Sequence, residues 1–309
     1  MRIVFMGTPQ AAVPSLRRLA ADGHDIAAVY TQPDKPAGRG NKLTASPVKL
    51  AAQELGIQVL QPAGVRSEAA LAEFVSLRAD VAVVVAYGRI LPQTFLDAFP
   101  YGAVNLHFSL LPRYRGAAPV NWAIANGETV TGVTTMKMDA GLDTGDVLLQ
   151  REIAIAEDDT AASILELSAE IGAGLLSETI ANLDDIVPIP QDDALATYAP
   201  ILKKIDGLID WGQPAAMIAD RIRGFKPFPG TFTFLNGVRI GIVSGTAEKF
   251  GNGERAGEVL TADKSGIRVR CGGDSVLRIS AAQPEGKRVL TAADIVNGSV
   301  LKVGDVLGE

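Results

Sequence analysis

Val81-Ala82-Val83-Val84-Val85-Ala86, bounded by Asp80 on one side and Tyr87-Gly88-Arg89 on the other, is the longest strongly apolar run in the chain. It falls far short of the roughly 18 residues a membrane helix needs. Four valines with no polar alternation predict a strand buried on both faces, and such a strand belongs at the centre of a parallel sheet with helices over it. The flanking sequence fits that picture. Arg2 to Met6 predicts a strand, Pro14 to Asp22 a helix, His24 to Thr31 a second strand and Val48 to Leu55 a helix. Further on, Val133 to Met138 and Val147 to Ile153 read as strands. Ile164, Leu167, Ile171, Leu175 and Leu176 recur on one helical stripe behind Asp158 or Asp159, either of which can cap a long closing helix. Residues 1–187 are therefore expected to form an open α/β domain.

Pro188, Pro190 and Pro200, with Gln191-Asp192-Asp193 between the last two, make 188–205 a linker by composition. In 206–309 a short helix from Pro214 to Arg223 precedes an irregular Phe225-Lys226-Pro227-Phe228-Pro229-Gly230. Thr231 to Leu235 and Val238 to Val243 flank Asn236-Gly237, the dipeptide that supplies the positive φ angles of a type I′ hairpin turn. Ala256 to Leu260, Ile267 to Cys271 and Ser275 to Ala281 continue as short strands. A small antiparallel barrel follows as the expected second domain.

The bulk numbers agree with two domains: 309 residues, 47% of them hydrophobic. The opening MRIVFMG reads as a buried first strand rather than an export signal, so a cytoplasmic protein is expected. A single cysteine, Cys271, excludes an internal disulfide, and with only His24 and His107 beside it no structural metal is expected. The net charge of −6 is uneven. From Lys203 onward there are 15 Lys+Arg and 12 Asp+Glu, a net of +3, against −9 for the residues before it. The second half is the side expected to meet phosphates.

Potential chemistry is densest at Val104-Asn105-Leu106-His107-Phe108-Ser109-Leu110-Leu111-Pro112, which begins as a strand and is broken at Pro112. In a strand Asn105 and His107 share a face. An imidazole can move a proton near neutral pH and a carboxamide N–H can hold an oxyanion, a pair suited to acyl transfer onto an amine. The plainer alternative, a core histidine bonded to a backbone carbonyl, is outweighed by the neighbouring Asn and the strand-end position. Asp139-Ala140-Gly141-Leu142-Asp143-Thr144-Gly145-Asp146 has three carboxylates but not the calcium-loop pattern, and an Asp/Gly turn accounts for its composition. A proton-shuttling histidine needs an orienting partner, and Asp143 is the candidate.

Asp34-Lys35-Pro36-Ala37-Gly38-Arg39-Gly40-Asn41-Lys42-Leu43 is a basic, glycine-containing loop that fails the P-loop pattern. It is either a solvated surface loop or an electrostatic finger in which Arg39 and Lys42 approach nucleic-acid phosphates. Met6-Gly7-Thr8-Pro9 has one glycine where a dinucleotide fingerprint needs three, which disfavours a dehydrogenase. Ser109 lacks a nucleophile-elbow context. Lys203, Lys204, Arg221, Arg223 and Lys226 gather with Trp211 and Phe225 at the start of the second domain, as a solvated face or an RNA-binding one.

Asn105-Leu106-His107-Phe108-Ser109-Leu110-Leu111-Pro112-Arg113-Tyr114-Arg115-Gly116-Ala117-Ala118-Pro119, followed by Leu142-Asp143-Thr144-Gly145, resembles the signature of formyl-tetrahydrofolate-dependent transferases. Phe5-Met6-Gly7-Thr8-Pro9, Gly38-Arg39-Gly40 through Ser46-Pro47-Val48-Lys49, and Phe225 to Gly230 resemble the methionyl-tRNA formyltransferase family within that group. Gln283, Gly286, Lys287 and Asn297-Gly298 fit the tail of that family. The resemblance implies a Rossmann-like α/β formyltransferase domain with a parallel-type sheet, followed by an OB-like β-barrel that helps hold tRNA. It implies 10-formyltetrahydrofolate as formyl donor, initiator Met-tRNA as acceptor, no metal, no membrane and a monomer. It maps catalysis onto Asn105, His107 and Asp143. Folate binding maps onto Ser109, Leu110, Leu111 and Pro112, with Tyr87, Gly88, Arg89, Ile90 and Leu91 beside the pterin, and the family's loop arginine onto Arg39. Sugar-nucleotide formyltransferases and formyl-folate hydrolases would share the trio, but the basic loop and the C-terminal barrel argue against both. A non-catalytic RNA-binding protein is the rival from another class.

Overall fold

The computed structural model describes residues 1–37, 42–249 and 255–308. The chain divides into two compact units. The first comprises Met1–Pro119, Val130–Ala154 and Leu165–Ala199, and the second Val120–Thr129, Ile155–Ile164 and Pro200–Glu309.

The first unit is built on a seven-stranded sheet. Across it the order is Val147–Ala154, Val130–Lys137, Ala103–His107, Val81–Val85, Arg2–Gly7, Asp25–Tyr30 and Val59–Leu60. The last five run parallel, and the first two close one side antiparallel. Every residue of Val81–Val85 is buried, as its unbroken apolar sequence demands. One face carries Val4, Met6, Ala28, Tyr30, Ala82 and Val84 beneath Phe74, Phe95 and Phe99. The ring centroids of Phe74 lie 4.6 Å from Phe95 and 4.7 Å from Phe99. Each such aromatic pair adds about 0.5–1.5 kcal/mol beyond its buried area.

The long helix, Ala161–Ala181, begins one residue after Thr160, whose Oγ1 accepts from Ser163 N at 3.3 Å. Thr160 therefore takes the capping role expected of Asp158 or Asp159. Asp159 instead accepts from Ala156 N at 2.9 Å and from Ser163 Oγ at 2.9 Å, bracing the turn before the helix. Within the first unit the helix turns Gly172 toward Leu106, where an added Cβ would lie 2.8 Å from Leu106 Cδ2. Leu106 thus packs into this helix, and the alternation of the strand sends Asn105 and His107 to the opposite face.

Residues 188–199 pack within the first unit. Ile189 bridges Val147, and Tyr198–Ala199 pairs in parallel with Arg115–Gly116. This two-residue strand pair needs glycine at 116. Its φ is +118°, and a Cβ there would stand 2.7 Å from Ala199 O.

The second unit holds an antiparallel sheet in the order Thr231–Leu235, Val238–Lys249, Ser275–Pro284, Gly266–Cys271 and Val259–Asp263, with Leu290–Thr291 beside Ser275–Pro284. The hairpin turns at Asn236 and Gly237, with φ of +50° and +76°, as the Asn-Gly dipeptide requires. Helix Ala215–Gly224 contributes Ala215, Ile218 and Ile222 to a core with Trp211, Ile240, Val269 and Ile279. Trp211 Nε1 donates to Thr233 Oγ1 at 2.9 Å, which satisfies the buried indole. The segments drawn from earlier in the chain are fastened by polar contacts. Asn121 Nδ2 donates to Gly224 O at 2.7 Å, and Arg223 Nη1 donates to Ala156 O at 3.2 Å and Asp159 O at 2.7 Å.

Candidate active site

Asn105 and His107 are 8% and 6% exposed on a strand whose other residues are apolar, so each must be satisfied where it lies. His107 Nε2 lies 2.9 Å from Tyr114 O. A carbonyl only accepts, so Nε2 carries a proton and Nδ1 is the nitrogen left to gain or lose one. Nδ1 stands 3.7 Å from Asp143 Oδ2. That is an ion-pair distance, longer than a hydrogen bond. The carboxylate is fixed from a third side, since Gly116 N donates to the same Oδ2 at 2.8 Å. The carbonyl contact foreseen for an ordinary core histidine is present, and it coexists with the pairing to Asp143.

Asp143 occupies the left-handed region, with φ +55°. A non-glycine residue adopts it at a cost of roughly 1–2 kcal/mol, which the surroundings must offset. Inside the loop, Asp139 Oδ1 accepts from Gly141 N at 3.0 Å and from Thr144 Oγ1 at 2.7 Å, an Asx turn. Gly145 is obligatory because a Cβ there would collide with Lys137 O. Gln191 closes the loop from outside, its Nε2 donating to Asp143 O at 2.9 Å and Gly145 O at 2.7 Å.

The segment after His107 is tied down by Ser109 and by two residues that carried no sequence signal, Thr134 and Gln150. Ser109 is fully buried and donates its hydroxyl to Arg113 O at 2.6 Å, closing its own turn. Thr134 Oγ1 donates to Ser109 O at 2.6 Å and accepts from Leu111 N at 3.2 Å. Gln150 Nε2 donates to Leu111 O at 2.8 Å. Leu111 is buried, and Leu110 and Pro112 are partly so.

Strand register sets Val84 opposite Asn105, so the segment Tyr87 to Leu91 begins just past the end of the neighbouring strand. Tyr87 O accepts from Thr8 Oγ1 at 3.0 Å and Gln32 Nε2 at 3.2 Å. Arg89 donates to Gln32 Oε1 at 3.2 Å and to Ala63 O at 2.7 Å. Gly88 has φ +79°, Leu91 is buried, and Ile90 is 70% exposed, an apolar side chain offered to whatever lies above. Burial raises the Tyr87 phenol above its ordinary 10.0, against a smaller opposing effect of Arg89.

At the two ends of the basic segment Lys35–Ala37 pairs antiparallel with Lys42–Thr44. Arg39 lies outside the described residues, and of Lys42 only the backbone, paired with Ala37, is described. At the hairpin root Lys49 Nζ donates to Asp34 Oδ2 at 2.7 Å and Gln61 Nε2 to Asp34 Oδ1 at 2.8 Å. Those bonds, Lys49 first and Gln61 second, hold the Asp34 carboxyl below the usual carboxylate value of 3.8. In the second unit Lys203 and Lys204 are exposed. Arg223 instead commits its guanidinium to Asp220 at 2.7 Å and to the two carbonyls named above.

A mostly parallel α/β sheet that places a carboxamide and an imidazole on one strand face, the imidazole within ion-pair distance of a carboxylate, has the groups that acyl transfer needs. Comparison with known proteins makes it specific. The formyl transferase family model matches residues 1–180, and the model of the formyl transferase C-terminal domain matches residues 201–300. The chain belongs to the methionyl-tRNA formyltransferase family of formyl transferases. It is 47% identical to the methionyl-tRNA formyltransferase of Geobacter sulfurreducens, covering 100% of this chain and 97% of that one. It is 50% identical to that of Caldanaerobacter subterraneus subsp. tengcongensis, over 99% of this chain and 100% of the other. The fold also matches an N-formyltransferase from Helicobacter canadensis, solved with folinic acid and dTDP-3-aminofucose. The TM-score is 0.69 at 19% identity, over 91% of this chain and 98% of that one. A sugar 3N-formyl transferase solved in the presence of dTDP and 5-N-formyl-THF gives 0.68 at 19% identity, over 93% and 99%. At that identity these two structures speak for the fold.

Proposed function

We propose that this protein transfers the formyl group of 10-formyltetrahydrofolate to the amino group of the methionine carried by initiator Met-tRNA, as a monomer in the cytoplasm. The observation that carries the reading is His107 held between Tyr114 O and Asp143, with Asn105 on the same strand face, in a chain about half identical to methionyl-tRNA formyltransferases over its whole length.

The donor supplies an activated acyl carbon, and the protein's residues manage charge and protons around it. His107 Nδ1 takes the proton that the attacking amine must shed, and the Asp143 carboxylate stabilises the resulting imidazolium. The Asn105 amide N–H holds the negative charge that develops on the formyl oxygen. Asp143 then assists return of the proton to the leaving nitrogen. No side chain needs to attack, and the Ser109 hydroxyl is already engaged. For folate binding, support comes from Ser109 to Pro112, braced by Thr134 and Gln150, and from Tyr87, Gly88, Arg89, Ile90 and Leu91, where an exposed isoleucine follows a half-buried arginine bonded to Gln32. The family resemblance supports the monomer, and it supports Arg39 and Lys42 as contacts to tRNA phosphates. Lys203 and Lys204 are exposed and are given the same role, whereas Arg223 contributes mainly by holding its own unit together.

The decisive experiment is formyl transfer from 10-formyltetrahydrofolate to initiator and to elongator Met-tRNA, with wild type and His107→Ala. Initiator-selective transfer that drops about 10²–10⁴-fold in the variant is expected. Unchanged turnover in His107→Ala would remove the proton role. Formyl transfer to an amino sugar but to neither tRNA would replace the acceptor.

A further inference from the structure

Arg115 is a charged residue that is 2% exposed, and burying a guanidinium is costly unless its donors are met. Its partners lie far along the chain. Nε and Nη2 donate to Gln191 Oε1 at 3.0 and 2.8 Å, and Nη2 also reaches Asp193 Oδ1 at 2.9 Å. The other end of the Gln191 carboxamide makes the two donations to Asp143 O and Gly145 O. All four hydrogen-bonding positions of that amide are therefore used, and its orientation is unambiguous. Only the oxygen can face a guanidinium, and only the NH₂ can face two carbonyls.

The network refers both ends of Asp143 to one short strand. Gly116 N holds the carboxylate, and Arg115, the preceding residue, holds the backbone carbonyl through Gln191. The strained φ of Asp143 is thus set from two directions, and with it the separation of Oδ2 from His107 Nδ1. We propose that Gln191, anchored by the buried Arg115, is a positioning residue for Asp143 that acts on the chemical step and not on substrate binding. The inference rests on the reading of His107 and Asp143 as the proton-handling pair.

The test is steady-state formyl transfer by the full-length protein, with donor and Met-tRNA varied separately, for Gln191→Ala, Gln191→Glu, Asp143→Asn and the Gln191→Ala/Asp143→Asn double variant. Gln191→Glu keeps the acceptor for Arg115 but turns the donor toward the loop into a second acceptor facing two carbonyls. Displacing a catalytic group by about 1 Å costs on the order of 10²-fold. Both Gln191 variants are expected to lose kcat on that scale with both KM values within about threefold of wild type, since the loop's displacement acts on chemistry alone. The double variant is expected to be no slower than Asp143→Asn, because the two residues act as one unit. A KM increase with kcat preserved, wild-type turnover in Gln191→Glu, or multiplicative losses in the double variant would each overturn the inference. Should Gln191→Ala fail to fold, the isosteric Gln191→Glu decides by the same kcat criterion. Wild-type turnover in Asp143→Asn would instead bring down the reading of the pair on which the inference rests. Slow Asp143→Asn beside fast Gln191 variants would leave that reading standing and refute only the positioning role.

Discussion

Two loops of the first unit differ in the contacts that hold their described residues. The Asp139 to Asp146 loop is gripped from beneath by a buried guanidinium, a fully used carboxamide and a glycine with no room for a side chain. At the root of the hairpin that pairs Lys35–Ala37 with Lys42–Thr44, Asp34 meets Lys49 and Gln61, while Leu43 is 74% exposed. The contrast fits the tasks proposed for the two loops. A group that must meet an imidazole at a set distance needs its backbone over-determined, because small displacements are expensive in rate. A basic finger that meets a long polyanion gains from charge at long range and needs only a fixed base.

Gly145→Ala attacks the tight side of that contrast and carries the largest expected effect. The new Cβ cannot coexist with Lys137 O, so the loop backbone must shift and carry Asp143 with it. Turnover should fall by about 10²-fold with little change in thermal stability of the second unit. Near wild-type kcat would mean that the loop adapts freely and that the grip is not what sets the rate.

Arg115→Met comes next. Methionine fills the space of the aliphatic stem but strands the Gln191 carboxamide oxygen without a donor. Hydrogen bonds to a charged group are each worth about 1.5–3 kcal/mol, and Asp193, being 83% exposed, can turn to water. Stability should drop by about 2 kcal/mol in denaturant unfolding, with kcat reduced in parallel. Unchanged stability with reduced kcat would sharpen the contrast by making the network purely functional.

The two loops also differ in how far the sequence announces them. The central strand was legible because Val81 to Val85 is apolar throughout, and the hairpin at Asn236-Gly237 because two positive φ angles leave little choice of residue. His107 and Asp143 stood out by residue type and were matched by reasoning about chemistry. Gln191 was not legible. It sits in a proline-rich stretch 76 residues from Arg115, and its role exists only once Tyr198–Ala199 pairs with Arg115–Gly116. Pairings of two residues have no periodicity to detect, which also hid Val59–Leu60 at the sheet edge. Thr134 and Gln150 were hidden likewise, since a side chain that braces a distant carbonyl leaves no local pattern.

Asp34→Asn tests the loose side and should have the smallest effect. The carboxyl of Asp34 is held below 3.8 by its bond from Lys49 and then by Gln61. A folded pKa depressed below the unfolded one adds stability that is complete above the unfolded value and disappears as pH falls through the folded one. Wild type should therefore exceed Asp34→Asn slightly in melting temperature from neutral pH down to about pH 4, and the gap should close as the solution is acidified further. Turnover at saturating tRNA should stay at the wild-type level, because the hairpin root touches neither His107 nor Asp143 through any bond described above. A kcat loss as large as that of Gly145→Ala would show that the hairpin needs the same precision as the Asp143 loop, and the distinction between a gripped loop and a tethered one would fail.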